Sequence, residues 1–292
     1  MAQRRNLLFI VLFAGALFIS FCLVMVYLFS AAFINTDMAI GKAVAVVDIT
    51  GEIFYDRAKI REIEEYRDND NIKAVVLFIN SPGGGVAASQ ELYHAVMDLR
   101  AAKPVVASMG EIAASGGYYV ACAADSIVAL EGTITGSIGV IATFLRTEEL
   151  YHKIGLEVTV LKSGKYKDIG SPHREMSPDE KEYMGALLDR VYDQFIEAVS
   201  EGRGMDRERV RTLAEGRLYS GAEAQEAGLV DRIGTFDDAV TLAAAMGGIE
   251  GEPKIVKKRK RRPLLDRIMG ERISGLALGQ PQRGMTLKYI VP

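Results

Sequence analysis

The sequence predicts an α/β fold in which strands and helices alternate along the chain. Short apolar runs rich in valine and isoleucine are separated by helical periodicities and by turns that contain glycine or proline. Continuous apolar runs of this kind are typical of strands buried on both faces of a sheet. The 292 residues contain no evident internal repeat and suffice for one large domain or two small ones. The alternation favours the α/β class.

The individual elements follow from local patterns. The first half predicts strands at 43–49, 73–79, 104–108 and 126–129, and helices at 60–67, 87–100 and 119–124. The second half is mainly helical. Three helices there are expected to begin at Ser177, Ser220 and Thr235, each followed three residues later by an acidic residue, as in a capping box. The apolar run 138–141 is expected to be a further strand.

A long uncharged segment precedes the predicted domain. Residues 6–36 contain no charged side chain, and almost every residue from 7 to 33 is apolar. A helix of this length rises about 40 Å, whereas a bilayer core is about 30 Å thick, so the segment can cross a membrane with some tilt. A cleaved signal peptide, the alternative, has an apolar core of about 7–15 residues. We therefore expect an uncleaved transmembrane anchor at 6–35.

The flanking charges predict how this anchor is oriented. Arg4 and Arg5 precede it, which places residues 1–5 in the cytoplasm and the remainder of the chain outside. After a linker at 36–42, we expect one folded domain at 43–248. The chain would then be a single-pass membrane protein with an extracytoplasmic domain.

The chain ends in a basic segment. Seven lysines and arginines and no acidic residue lie between 254 and 262, whereas the whole chain carries a net charge of −3. We expect residues 249–292 to be a basic C-terminal tail in which the charged run is solvated and residues 263–292 are loosely held. Attraction to anionic membrane lipid is the functional alternative, and nucleic acid is not an expected partner.

Cysteine and histidine usage predicts neither a disulfide framework nor a metal site. Cys22 lies within the predicted anchor and Cys122 lies among alanines, so the two are not expected to pair. The three histidines are scattered without the short spacing of metal ligands. We therefore expect no metal and no other cofactor.

Three consecutive glycines, Gly83 to Gly85, follow one of the predicted strands. Glycine lets a backbone approach a ligand closely and tolerates positive φ. A tight turn would not need three glycines, and the Lys-Ser/Thr pair that completes a phosphate-binding loop is missing. The run is therefore expected to present backbone N–H groups to a substrate carbonyl, as an oxyanion hole does.

A serine among very small residues follows the next predicted strand. Ser115 lies in the run Ala-Ala-Ser-Gly-Gly at 113–117, just before a predicted helix. The serine could simply cap this helix. A helix N-terminus also favours developing negative charge, however, and nothing bulky would obstruct the hydroxyl. The N–H of Gly116 could then join that of Gly84 in binding a tetrahedral oxyanion.

A serine nucleophile requires a general base. His94, His152 and His173 lie in contexts typical of surface residues. Lysine is the other candidate, and its pKa must fall from about 10.4 toward neutrality, which costs about 4 kcal/mol and requires burial against apolar groups. The segment 161–170 contains three lysines among small and aromatic residues, and spacing does not choose among them.

Six motifs, taken in order, resemble the signal peptide peptidase A family in its short, single-domain form. They are NSPGGG at 80–85, SMG at 108–110, AASGGYY at 113–119, TGSIGV at 135–140, SGKYK at 163–167, and GRLYSG at 216–221 together with AGLVD at 227–231. The resemblance covers about residues 43–248. It implies a Clp-protease/crotonase-like fold and a serine-type endopeptidase with a Ser/Lys dyad.

The resemblance also implies a role for each candidate residue. Ser115 matches the nucleophile, and Lys167 matches the general base. Ser137 matches a serine whose hydroxyl orients the lysine amine, and Gly84 and Gly116 match the two oxyanion donors. From the residues alone, Ser137 is a turn residue or a second candidate nucleophile, disfavoured because a strand and not a helix is expected after it.

The resemblance finally implies a homo-oligomeric protease anchored in the cytoplasmic (inner) membrane of a bacterium, with its catalytic domain extracytoplasmic or periplasmic. Such a protease degrades remnant signal peptides left in the membrane after secretion. Its substrates would be extended, apolar peptides. Cleavage of partner membrane proteins is one alternative, and a non-enzymatic membrane scaffold on the same fold is another. A crotonase-like acyl-CoA enzyme, a third alternative, would need a glutamate near the site and a cytoplasmic location.

Overall fold

The computed structural model describes residues 13–27, 42–258 and 288–290. The chain forms two compact units, of which the first ends at Ile40 and the second begins at Gly41. In the first unit, residues 13–27 form helix α1.

The apolar side chains of α1 are exposed, including Phe18 at 68% and Leu23 at 65%. Within the described residues, no helix combines the length and the hydropathy that crossing a bilayer requires. The predicted anchor at 6–35 also includes residues 6–12 and 28–35, which lie outside the described part of the chain.

Strands and helices alternate through the second unit, as predicted. The strands are β1 (Ala43–Thr50), β2 (Ile72–Ser81), β3 (Gly83–Gly85), β4 (Val105–Ala114), β5 (Ser126–Ala129), β6 (Ile134–Gly136), β7 (Leu218–Ser220), β8 (Arg232–Ile233), β9 (Lys254–Lys257) and β10 (Lys288–Ile290). The helices are α2 (Arg57–Asp68), α3 (Val86–Ala102), α4 (Gly116–Ala121), α5 (Glu148–Lys153), α6 (Pro178–Arg203), α7 (Arg207–Leu213), α8 (Gly221–Glu226) and α9 (Phe236–Met246).

Most of these strands form one mixed sheet in the order β7-β6-β4-β2-β1-β9, with β5 paired to β4 and β8. The neighbouring strands are parallel except for β6 and β7, so the predicted α/β class is confirmed. Strand β4 pairs with β5 through Val106–Ser108 and with β6 through Ile112–Ala114. The end of β4 therefore lies at the carboxyl ends of parallel strands, where ligands commonly bind in such sheets.

The centre of the sheet is apolar on both faces, as its continuous valine runs predict. Val44, Val76 and Val106 are at most 1% exposed and pack with the small residues of α9, including Ala243. Burying a valine side chain contributes roughly 1.5–3 kcal/mol relative to leaving it exposed. This rigid core fixes the strand ends that carry the candidate site.

The three predicted helix starts are confirmed. Ser177, Ser220 and Thr235 each cap a helix, and each cap is completed by the acidic side chain three residues later. The glutamate of the first box, Glu180, is buried and belongs to the candidate site described below.

Two expectations about secondary structure are wrong. Residues 138–141 do not extend a strand, because the positive φ of Ser137 turns the chain away after β6; only Ile141 forms an isolated bridge, to Lys288. The C-terminal tail is not free throughout, because Lys254–Lys257 forms β9 beside β1 and Lys288–Ile290 forms β10 beside β3. Residues 259–287 of this tail lie outside the described part of the chain. Pairing with β9 covers the otherwise open edge of β1.

Candidate active site

Ser115 lies at the junction between β4 and α4. Its φ is 52° and its ψ is −116°, a backbone conformation that residues other than glycine rarely adopt. The turn is held on both sides, because the Ser115 N–H donates to the Gly136 carbonyl at 2.8 Å and the Ser115 carbonyl accepts from the Tyr119 N–H at 2.8 Å. A strained strand-to-helix turn of this kind can present a nucleophilic side chain at the edge of a sheet.

The environment of Ser115 is closed, whereas the sequence led us to expect an unobstructed hydroxyl. The residue is only 1% exposed. Strand β10, from the C-terminal segment, lies beside both α4 and β3. A substrate must therefore enter a site that is enclosed in this state of the chain.

Ser137 occupies the equivalent position on the neighbouring strand. Ala114 and Gly136 are paired in the register of β4 and β6, so Ser115 and Ser137 each follow one member of the same pair. The φ of Ser137 is 50°, and its N–H donates to the Arg217 carbonyl at 2.7 Å. Among the described residues other than glycine, Ser115 and Ser137 alone have positive φ. Backbone strain is thus concentrated at two predicted site residues that lie side by side.

At the centre of the glycine run, Gly84 has no room for a side chain. A Cβ atom on Gly84 would lie 2.1 Å from the carbonyl oxygen of Ile53, whereas one on Gly85 would meet no atom closer than 3.8 Å. Ile53 donates to the Gly83 carbonyl at 2.7 Å and accepts from the Gly85 N–H at 2.9 Å. Because backbone groups alternate in direction along a strand, the N–H and C=O of Gly84 face the opposite edge, toward β10.

Gly116 begins α4, and the N–H groups of a first helical turn have no partner within the helix. The following Gly117 packs on the end of β2, where an added Cβ would lie 2.9 Å from the Ser81 carbonyl oxygen. This packing brings α4 beside the strand that leads into the glycine run. The predicted donors Gly84 and Gly116 are therefore on adjacent elements.

Lys167 lies in an exposed segment, so the expectation that a lysine is enclosed by apolar walls is wrong for the single chain. The structure nevertheless separates the three candidate lysines. Lys162 is paired with Asp168 and Lys165 with Asp179. Lys167 makes no side-chain hydrogen bond or ion pair with any residue in the described ranges, and none joins it to Ser115 or Ser137.

Arg174 ties the lysine segment to the start of α6. Its guanidinium donates to Asp168 Oδ1 at 2.7 Å and Oδ2 at 2.8 Å, and to Glu180 Oε2 at 2.7 Å and Oε1 at 2.5 Å. These hydrogen bonds lower the pKa of Asp168 well below its usual value and that of Glu180 to about 2. The carboxylate next to Lys167 is thereby fixed to the long helix.

Sequence reasoning missed Arg174. It stands in a short polar stretch of the sort that usually forms an exposed loop. Its pairing with two acidic residues, each six positions away, has no local periodicity that would have revealed it.

None of the three histidines lies on β4, β6 or α4, the elements that meet at Ser115 and Ser137. His94 is exposed on α3, while His152 and His173 line a cavity of about 250 Å³ beside α5. In the part of the chain that the structure describes, no group of histidine, cysteine, aspartate and glutamate side chains is arranged to hold a metal ion.

Comparison with known proteins identifies the family. The family model Peptidase family S49 matches residues 97–250, and the Clp protease model matches residues 48–133. A Synechocystis protein named as a protease is 40% identical to this chain over 235 residues, which cover 78% of this chain and 83% of that protein. A Methanocaldococcus jannaschii protein with a protease name is 37% identical over 238 residues, 76% of each chain.

A third relative carries a more specific name. An Enterococcus faecium protein named for signal peptide peptidase SppA is 38% identical over 182 residues, covering 62% of this chain and 53% of that protein. The family resemblance predicted from the motifs is confirmed by these matches. The chain therefore belongs to peptidase family S49, as a serine peptidase of the SppA family.

Proposed function

We propose that the chain is a membrane-anchored serine endopeptidase in which Ser115 is the nucleophile and Lys167 the general base. The observation that carries this proposal is the strained, doubly anchored turn at Ser115, next to the equally strained Ser137. The lack of a partner for Lys167 within the described ranges supports its choice over Lys162 and Lys165, because both of these are held by carboxylates.

The proposed reaction has two halves. Lys167 accepts the proton of the Ser115 hydroxyl as Oγ bonds to the scissile carbonyl carbon, and the N–H groups of Gly84 and Gly116 bind the oxyanion. The C–N bond then breaks, and the lysine donates its proton to the leaving amine. Water, deprotonated by the same lysine, releases the acyl group and regenerates the serine.

The proposed role of Ser137 is to position this lysine through its hydroxyl. Ser137 follows β6 just as Ser115 follows β4, so its backbone is fixed relative to the nucleophile. Lys167 is exposed in the single chain, and a lysine base requires desolvation. Apolar surface from a bound peptide or a neighbouring copy would supply it.

Exposed apolar side chains support assembly into a homo-oligomer. Between β6 and α6, Leu145, Ile154 and Leu161 are 76%, 60% and 94% exposed. All three lie in the same segment of the chain, and exposed apolar patches are typical of protein contacts. We propose that copies of the chain pack through this segment and so enclose their sites.

Membrane anchoring and signal-peptide substrates complete the proposal. The uncharged sequence at 6–36 supports an anchor, with the domain at 43–248 outside the cytoplasm. The Enterococcus relative's name supports remnant signal peptides as substrates.

The test uses full-length protein in detergent and a library of synthetic signal peptides, with cleavage read by mass spectrometry. Wild-type protein should cleave within the apolar segment of the peptides, and Ser115→Ala should cleave none while keeping its circular dichroism spectrum. Equal cleavage by both proteins would reject Ser115 as the nucleophile. If the wild-type protein cleaved none of these peptides but did cleave a purified membrane protein added in their place, the proposed substrate would be rejected.

A further inference from the structure

The C-terminal strand β10 lies between two other segments of the chain. On one side it pairs antiparallel with β3, with Lys288 opposite Gly85 and Tyr289 opposite Gly84. On the other side, Lys288 and Ile141 exchange two backbone hydrogen bonds, of 3.1 and 3.2 Å. An extended peptide bound on both edges in this way is held mainly through its backbone, as in strand addition to a sheet edge.

The backbone directions define how this peptide meets the glycine run. The N–H and C=O of Lys288 are used by Ile141, so those of Tyr289 face the other edge, toward β3. Ile53 hydrogen-bonds to the Gly83 carbonyl and to the Gly85 N–H. The N–H and C=O of Gly84, which lies between them, therefore face β10. The Tyr289 carbonyl therefore faces the N–H of Gly84, which the proposed function assigns to the oxyanion hole.

Side-chain recognition in this groove comes from Glu52. The Lys288 ammonium lies 2.8 Å from Glu52 Oε1, and the two side chains are 24% and 27% exposed. Glu52 is held by its neighbours, since Gly51 donates to the Asn80 carbonyl at 2.9 Å and Ile53 bridges to Gly84. The carboxylate thus belongs to the groove itself and not to a free loop.

We propose that Glu52 selects a lysine or arginine side chain in peptide substrates, at the residue immediately before the one whose carbonyl is cleaved. This inference rests on the proposed function, which supplies the cleaved carbonyl at Gly84. The C-terminal segment then occupies the groove as an internal competitor with the preferred side chain. Peptides with an apolar residue at this position still bind through their backbone, but lose the ion pair.

The test compares nine-residue peptides that carry tyrosine at the cleaved position and lysine, glutamine or glutamate before it. Full-length wild-type protein should cleave the lysine peptide with a kcat/KM about five-fold above that of the glutamine peptide, as a partly exposed ion pair allows. Glu52→Gln should bring this ratio to about one, and Glu52→Lys should favour the glutamate peptide.

The ratio is the informative quantity, because Glu52 also holds the C-terminal segment. Lys288→Gln should lower KM for all three peptides and leave the ratio unchanged. Glu64→Gln, on the exposed face of α2, should keep both the wild-type ratio and the wild-type KM values. A lysine preference that survives in Glu52→Gln would overturn the proposal, and so would an equal loss of preference in Glu64→Gln.

Binding separates this inference from the proposed function. If wild-type protein cleaves none of the peptides, the protease assignment to this groove fails, and fluorescence anisotropy with the labelled peptides on Ser115→Ala decides the role of Glu52 alone. Tighter binding of the lysine peptide, lost on adding Glu52→Gln, would support the selection. Equal dissociation constants for the lysine and glutamine peptides would overturn it.

Discussion

The two proposed members of the dyad lie in very different surroundings. Ser115 is 1% exposed, follows a central strand and is fixed by hydrogen bonds on both sides. Lys167 is exposed in a segment without strands, and the residues beside it are held by ion pairs instead of by an apolar core. The sheet thus fixes the position of Ser115, which we call the serine half of the site. The position of Lys167, the lysine half, depends on ion pairs made by the charged side chains around it.

This difference indicates where the site can move. A turn built into a parallel sheet cannot shift without breaking the core, whereas an exposed segment tied by charges can adjust when a substrate or a second copy covers it. We therefore expect the serine half to tolerate little change in shape and the lysine half to respond to changes in charge.

The largest effect should come from removing the base itself. Lys167→Ala should lower kcat for peptide cleavage by at least about a thousand-fold, because the serine loses its proton acceptor. Lys165→Ala, two residues away, removes the ion pair with Asp179 and the cation–π contact with the Tyr166 ring, and should retain most of the activity. Steady-state kinetics on a signal peptide would check both variants, and similar losses in the two would refute the choice of Lys167.

The next effect tests the rigidity of the serine half. Gly84→Ala places a methyl group 2.1 Å from a backbone oxygen of Ile53, so β3 must move and its N–H must leave the oxyanion position. We expect kcat to fall about 100-fold and stability to fall by about 1–3 kcal/mol.

Gly85→Ala is the matched control, because its methyl group has room and its φ of −64° suits alanine. Thermal unfolding and cleavage rates should be close to wild type for this variant. If both glycines tolerated alanine, the close approach of Ile53 would have no functional consequence.

The third effect concerns the charges that hold the lysine segment. Arg174→Met removes the guanidinium that joins Asp168 to Glu180 and should lower kcat about 10- to 100-fold through misplacement of Lys167. Arg146→Met, which disrupts only longer, exposed ion pairs, should leave kcat nearly unchanged.

Acid should reduce the stability difference between wild type and Arg174→Met. The folded-state pKa of Glu180 is lowered to about 2 and that of Asp168 further still, so their contribution is fully present above the unfolded value of about 4.3 and is lost progressively as pH falls to about 2 and below. The difference between the two melting temperatures should therefore narrow steadily from pH 6 to pH 2. A constant difference across this range would show that Arg174 acts through packing and not through charge.

The same contrast explains what the sequence could predict. Local apolar runs and short motifs predicted strands β1, β2 and β4, the three capping boxes and the position of Ser115. These features depend on residues that are close together in the sequence. The ion pairs of Arg174 and the return of β10 to the glycine run join residues that are distant or aperiodic in sequence. No local pattern encodes them, so they required the three-dimensional structure.

The smallest effect separates strain from chemistry at Ser137. Ser137→Gly relieves a φ of 50° and should stabilise the protein by about 1 kcal/mol, or roughly 2–4 °C in Tm, whereas Ser137→Ala keeps the strain and should not. Both variants lose the hydroxyl proposed to orient Lys167, so both should lower kcat by a similar factor. Calorimetry and cleavage assays on the same preparations would test whether the two variants differ in stability but not in kcat. If the stabilised glycine variant kept full activity, the hydroxyl would have no part in positioning the lysine, and the strain at Ser137 would belong to the turn after β6 alone.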